Sequence, residues 1–223
     1  MQYNIIEKLT ISGGRGSVMN KIITIGREFG SGGREIGKKL SEMLSIPFYD
    51  KELLTVASKE SGIREELFYQ NDESEQGSII YSLLMGTYSL GDGGRVYPEL
   101  PLNYKIFLAQ FDAIKGIAEE GPCVIVGRCA DYVLAGRNNL MSVFISSDIK
   151  ARIERVRQRH PEVQEKKLEE YIKKIDKKRS GYYYYFTDRK WGVAANYDFC
   201  IKSSRLGAEK TAEVIARLAE ASD

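Results

Sequence analysis

Gly30-Ser-Gly-Gly-Arg-Glu35 gathers three glycines, a hydroxyl, a guanidinium and a carboxylate into six consecutive positions. Gly30, Gly32 and Gly33 allow positive φ and leave no Cβ between the backbone and a close ligand. If a helix starts directly after them, its first N–H groups are unpaired and point outward. That is an anion site, and phosphate is the anion such turns suit best. The spacing is irregular: a strict phosphate-binding loop reads G-x-x-x-x-G-K-[ST], and no frame from Lys21 to Leu40 fits it. With Gly30 and Gly32 as the loop glycines, Gly33 takes the lysine position; Arg34 comes one place late, and counted from it Glu35 stands where the hydroxyl is wanted. The dinucleotide pattern G-x-G-x-x-G fails as well, at Glu35. Spacing alone leaves two readings, an anion-binding loop and a tight structural β–α turn.

The flanking residues say what holds this turn. Ile22, Ile23, Thr24 and Ile25 are β-branched and nearly unbroken in polarity, as in a strand covered on both faces of a parallel sheet. From Arg34 the apolar positions Ile36, Leu40 and Leu44 recur at helical spacing, with Lys38, Lys39 and Glu42 opposite. Ile46-Pro-Phe-Tyr-Asp50 reads as a second, short strand ending in charge. Ligand crevices of parallel sheets lie beyond the strands' carboxyl ends, so Asp50 and Lys51 face the crevice, or Asp50 caps the helix that follows. Cys123-Val-Ile-Val-Gly127 is another buried strand, with Arg128 and Asp131 just past its end. Arg128 there can grip a phosphate bidentately, or pair with Asp131 to fix the loop. Leu140–Ile145 and Asn196–Ile201 complete a set of about five strands. The helices between them run over Glu52–Tyr69 with a break at Ser61-Gly62, Leu102–Glu120, Asp148–His160, Glu165–Arg179 and Ala208–Ala219. The last turns Val214, Ile215 and Leu218 inward. Strands alternating with helices predict an α/β fold, a three-layer parallel sheet with helices on both faces.

Ile23–Leu40, Ile46–Lys51, Gly121–Asp131, Asn196–Phe199 and Ser203–Leu206, taken in order, resemble the cytidylate kinase-like branch of the P-loop nucleotide kinases, with a degenerate phosphate-binding loop. The resemblance implies ATP with Mg²⁺ and phosphoryl transfer to a nucleoside monophosphate, CMP-like, or to another small phosphate acceptor. It places the donor phosphates on Gly30, Ser31, Gly32, Gly33, Arg34 and Glu35, with Arg34 substituting for the lysine and Arg205 near the adenine or its phosphates. The acceptor falls to Asp50, Lys51, Arg128 and Asp131, with Cys129 where that family's strand-end aspartate stands. Arg34, Arg128 and Arg179 are the catalytic candidates, Lys190 a weaker one. Ser31, Glu35 and Asp50 are the candidates for the metal. Glu35 beside phosphate without a metal is repulsive, which keeps a second class open, a non-catalytic nucleotide or anion binder retaining the kinase fold.

Bulk properties agree with a single domain over 21–223 behind a loose extension over 1–20, in which Met19 is an alternative start to Met1. The chain has 223 residues, 43% hydrophobic, and a net charge of +2. That suffices for one core and does not indicate a nucleic-acid role. No apolar run approaches a membrane span and no secretory segment is evident. Three cysteines without a C-x-x-C pair read as free thiols of a cytoplasmic protein. Oligomeric state is not legible.

From Lys150 to Lys190 there are fourteen Lys or Arg against seven Asp or Glu. A kinase lid has this character, and Arg179 on it can neutralise a transferring phosphoryl group. A solvated face laced by pairs such as Glu169 with Lys173 accounts for most of the charges. The aromatics Tyr182–Phe186 and Trp191 pack the lid onto the body or stack bases. Residues 70–101 read as an acceptor-side insertion, a substrate cover or a glycine loop without function. His160, the only histidine, reads as a helix cap.

Overall fold

The computed structural model describes residues 20–71 and 100–222. The extension over 1–20 and the insertion over 70–101 lie, but for their edges, outside the described residues. Five strands, β1 (Ile22–Arg27), β2 (Phe48–Tyr49), β3 (Cys123–Val126), β4 (Leu140–Ser146) and β5 (Phe199–Lys202), form one parallel sheet in the order β2-β3-β1-β4-β5. Ile22 pairs with Cys123 on one side and with Leu140 on the other, so β1 is the central strand.

Parallel neighbours require crossovers, and helices supply them. α1 (Gly33–Leu44) follows β1, and α2 (Glu52–Ser61), α3 (Glu65–Asn71) and α4 (Leu102–Glu120) lie between β2 and β3. The short α5 (Ala130–Val133) leads to β4, α6 (Ile149–Arg159) and α7 (Leu168–Thr187) to β5, and α8 (Ser203–Ala221) ends the fold. Ile23 and Ile25 pack with Ile36, Leu40 and Ile215 under α1 and α8. Ile22 and Ile125 point the other way, to Leu53, Ile114 and Ile117 of α2 and α4. Two apolar layers on one sheet explain why β1 is fully buried from Ile22 to Ile25 with no polar alternation.

Several expectations change. β1 continues through Arg27, because Arg27 still pairs with Ile145 of β4. α7 does not stop at Arg179 but runs through Gly181 and four tyrosines to Thr187. Packing outweighs the weak helix propensity of that run: Phe186 stacks on Phe107 of α4 with ring centroids 3.8 Å apart and planes 6° apart. Tyr104 meets Phe186 edge-on. The aromatics thus fasten α7 to the body. Trp191 joins Phe144 in the same way, centroids 5.2 Å apart. Val214 of α8 is exposed while Ile215 is buried. His160 caps α6, donating its backbone N–H to Val156 O at 2.8 Å. The Glu169–Lys173 pair forms at 2.7 Å. Cys123, Cys129 and Cys200 are free thiols, and burial pushes Cys123 up to about 12, an unreactive state. Among the described residues no helix is long and apolar enough to cross a membrane.

Candidate functional site

The strand order reverses at β1: the chain moves from β1 to one side for β2 and β3, then to the other for β4 and β5. The crevice at such a switch point opens at the carboxyl ends of the central strands. The glycine turn after β1 and the bend after β3 both lie there.

The turn is held by its carbonyls. Phe29 O accepts from Arg152 Nε at 2.8 Å, Gly30 O from Arg155 Nη1 at 2.7 Å, and Ser31 O from Ser203 Oγ at 2.6 Å. The Phe29 N–H donates to Asp176 Oδ1 at 2.8 Å, and the Ser31 N–H to Glu28 O at 3.2 Å. With oxygens turned to α6 and α8, and with Gly30 and Gly32 at φ +76° and +87°, the remaining amides point elsewhere. The N–H groups of Gly30, Gly32, Gly33, Arg34 and Glu35 make no hydrogen bond to any described residue. Unmade backbone bonds of this kind are costly when no water or ligand meets them.

All of these residues but Glu35 line a cleft of about 720 Å³, open mouth included. Six cationic side chains line it, Arg27, Arg34, Lys51, Arg128, Arg159 and Arg179, against two carboxylates, Glu28 and Asp50. Both carboxylates are engaged. Glu28 accepts from the Ser147 N–H at 2.8 Å and pairs with Arg152 at 3.3 Å, and Asp50 accepts from Arg34 Nε at 2.6 Å. The net field is positive, and a low-dielectric cleft concentrates it. Arg179 spans from α7 to the turn, donating to Arg27 O at 3.2 Å with its guanidinium 5.4 Å from the centre of the Phe29 ring.

Past β3, Gly127, Arg128 and Cys129 all have left-handed φ, at +81°, +55° and +56°. Two non-glycine residues in that region cost on the order of 1 kcal/mol each. The bend leaves Arg128 6% exposed, between the cleft and a smaller adjoining cavity of about 330 Å³. Arg27, Arg128 and Arg179 wall both. On the far side of the smaller cavity, Asp131 accepts from the Tyr183 hydroxyl at 2.7 Å. Burial raises the Asp131 carboxyl above the ordinary range, the tyrosine bond pulling it part of the way back. Burial likewise raises Tyr183 and Tyr197, the Asp131 charge adding to both.

Of the residues singled out in the sequence, Gly30, Gly32, Gly33, Arg34, Asp50, Lys51, Arg128 and Arg179 meet at the cleft. Asp131 borders the adjoining cavity with Arg128, bonded to Tyr183 and not paired with the arginine. Asp50 is not a helix cap: Lys51 holds that position without a side-chain bond. Arg34 is directed at Asp50, donating its Nε to that carboxylate at 2.6 Å. Glu35 pairs with Arg159 at 2.9 Å and does not line the cleft. Arg205 is exposed at the start of α8, beside Asp148, and Lys190 is exposed, both away from the cleft. Sequence reading missed Arg27, Arg152, Arg155 and Asp176. The spacing of Arg152 and Arg155 on one helix face was visible, but it reads equally as solvated charge.

The unpaired amides and surrounding arginines fit a polyphosphate. For Mg²⁺, which takes few protein ligands and keeps its waters, the Ser31 hydroxyl is the uncommitted oxygen: it is fully buried beside Gly33 with no hydrogen-bond partner. No group of three or more His, Cys, Asp or Glu among the described residues could form a metal cage.

A crystal structure of an uncharacterized protein from Eubacterium ventriosum is similar, 32% identical over 91% of this chain and 99% of that one, with a TM-score of 0.68. Shikimate kinase from Bacteroides thetaiotaomicron is similar at 15% identity over 90% and 98%, TM-score 0.49. A gluconokinase from Sinorhizobium meliloti 1021 is similar at 13% over 91% and 95%, TM-score 0.44. No curated protein matches the chain. The model of the cytidylate kinase-like family matches residues 22–205, from the first strand to the first turn of α8 and so across the whole described site, and the chain belongs to that family.

Proposed function

We propose that the protein transfers a phosphoryl group from ATP, with Mg²⁺, to a nucleoside monophosphate, CMP-like, or to another small phosphate acceptor. The observation that carries this reading is the set of four loop amides, of Gly30, Gly32, Gly33 and Arg34, left unbonded at the wall of a cleft lined by arginines. Phosphoryl transfer asks a protein chiefly for positioning and charge neutralisation. In this reading the amides of Gly30, Gly32, Gly33 and Arg34 hold the donor phosphates. Arg128, kept in place by the strained bend after β3, grips the acceptor phosphate. Asp50 and Arg34 orient the acceptor from β2, and Arg179 faces the transferring group from α7. The unpartnered Ser31 hydroxyl would help hold Mg²⁺, which would supply neutralisation of the charge that develops on the phosphate oxygens.

A second reading, a nucleotide or anion binder without turnover, draws support from the loop itself. Gly33 replaces the lysine, and Arg34 is turned to Asp50.

The two readings separate in an assay of ATP consumption with Mg²⁺ against a panel of nucleoside monophosphates, alongside calorimetric ATP binding. Transfer to one acceptor, with Arg128→Ala lowering kcat roughly a hundredfold or more, supports the enzyme. ATP binding with no acceptor consumed leaves the binder, and absence of ATP binding sinks both.

A further inference from the structure

Arg27, the last residue of β1, runs through a space that two glycines keep open. A Cβ added to Gly33 would lie 2.5 Å from Arg27 Cβ and 2.9 Å from its Cγ. A Cβ added to Gly127 would lie 2.8 Å from Arg27 Cζ. The stem therefore passes over the first residue of α1 and the head lies over the bend after β3, at the boundary of the cleft and the adjoining cavity. Gly127 needs to be glycine for its φ of +81° as well. The φ of Gly33 is not positive, so its lack of a side chain answers to space alone.

Gly33 is also the position at which the strict phosphate loop carries lysine. A side chain there and the observed path of Arg27 exclude each other. The cleft has thus exchanged a cation rising from the helix start for one arriving from the strand end, on the opposite side of the same turn. We propose that Arg27 binds the donor triphosphate in place of the loop lysine, and that Gly33 is glycine to admit it. The inference rests on the ATP-dependent reading above and names the residue that completes its donor site. A guanidinium suits this placement because its planar fork bonds two phosphate oxygens at once, where lysine acts as a point charge. Arg179, bonded to the Arg27 carbonyl at 3.2 Å, keeps the strand end in place beneath it.

The test is calorimetric binding of ATP in the presence of Mg²⁺ to the full chain and to Arg27→Met, Arg27→Lys, Gly33→Lys and the double variant Arg27→Gly/Gly33→Lys. Thermal unfolding is recorded for each. Methionine keeps the buried stem without the charge, so Arg27→Met weakens ATP binding roughly ten- to a hundredfold, the worth of a charge-assisted hydrogen bond. Arg27→Lys loses less. Gly33→Lys alone weakens binding by collision with Arg27. Joining it to Arg27→Gly removes the Cβ and Cγ that the lysine strikes, and the double variant binds ATP at least tenfold more tightly than Gly33→Lys alone. Arg27→Met binding ATP like the unaltered chain overturns the proposal, and so does a folded double variant no better than Gly33→Lys alone. If the unaltered chain binds no ATP, the kinase reading falls and this inference with it. If it binds and Arg27→Met binds equally, only this inference falls.

Discussion

Arg152 offers the sharpest test of how the glycine turn is held. Its side chain is 7% exposed and meets three partners: Phe29 O at 2.8 Å, Glu28 at 3.3 Å, and Asp176 in a close ion pair. Glu28 and Asp176 are themselves only 26% and 18% exposed. Arg152→Met leaves both carboxylates in a poorly solvated place without their cation. Breaking a buried pair from one side costs about 3–5 kcal/mol, mostly the penalty of the stranded charge. For a domain of this size each kcal/mol moves Tm by about 2–4 °C, so the loss comes to about 6–20 °C. Circular dichroism melts and urea titrations measure it. Because the pair is shielded from solvent, raising salt does not close the gap between variant and wild type. Adding Asp176→Asn to Arg152→Met costs less than the two single losses combined, since one stranded carboxylate is gone. ATP affinity falls along with stability, because binding must then order a turn that the fold no longer holds. A fall in Tm below about 2 °C, or strictly additive single losses, refutes the idea that Arg152 pins the turn through a coupled buried network.

The pH dependence of Asp131 has a fixed sign. Its folded pKa is raised, so between the ordinary carboxylate range and the folded pKa the native state binds more protons than the unfolded chain, and stability drops as pH rises through that window. Asp131→Asn therefore gains on the wild type as pH goes from about 4 to 7, read as the difference in urea midpoints; a difference that is flat or of opposite slope contradicts the assignment. Phe186→Ala, which empties a 4%-exposed site stacked on Phe107, costs about 3–5 kcal/mol in the same melts. A variant of unchanged stability but altered RNA or DNA binding would return the aromatics to a base-stacking role.

Much of the architecture was legible because it is local. The unbroken Ile22–Ile25 run, the glycines after it and the 3.6-residue spacing of Ile36 and Leu40 specify strand, turn and helix without reference to distant parts of the chain. Polar residues directly after apolar strands, Asp50 and Arg128, marked the crevice because parallel sheets collect ligands at that edge. The packing role of the tyrosine run was legible, but the helix end was misplaced at Arg179 because its continuation depends on α4, separated from it by more than one strand. Tyr69 and Leu102, both exposed at the edges of what is described, adjoin the segment that the sequence reads as an acceptor-side insertion.

By itself, then, the sequence determined the alternation of strands and helices, the place of the glycine turn and the family. Only the tertiary structure decided which amides of that turn stay unbonded, since their freedom comes from Arg152, Arg155 and Ser203 taking the carbonyls across sequence separations of 123, 125 and 172 residues. It alone turned Arg34 to Asp50, gave Glu35 to Arg159, and ran Arg27 over two glycines 94 positions apart (127 − 33). Helical and strand periods are set by each residue's near neighbours, but the partner of a charge is whichever group the order of strands carries to it. That order follows from burying two faces of one sheet at once, a condition on the whole chain and not on any segment of it.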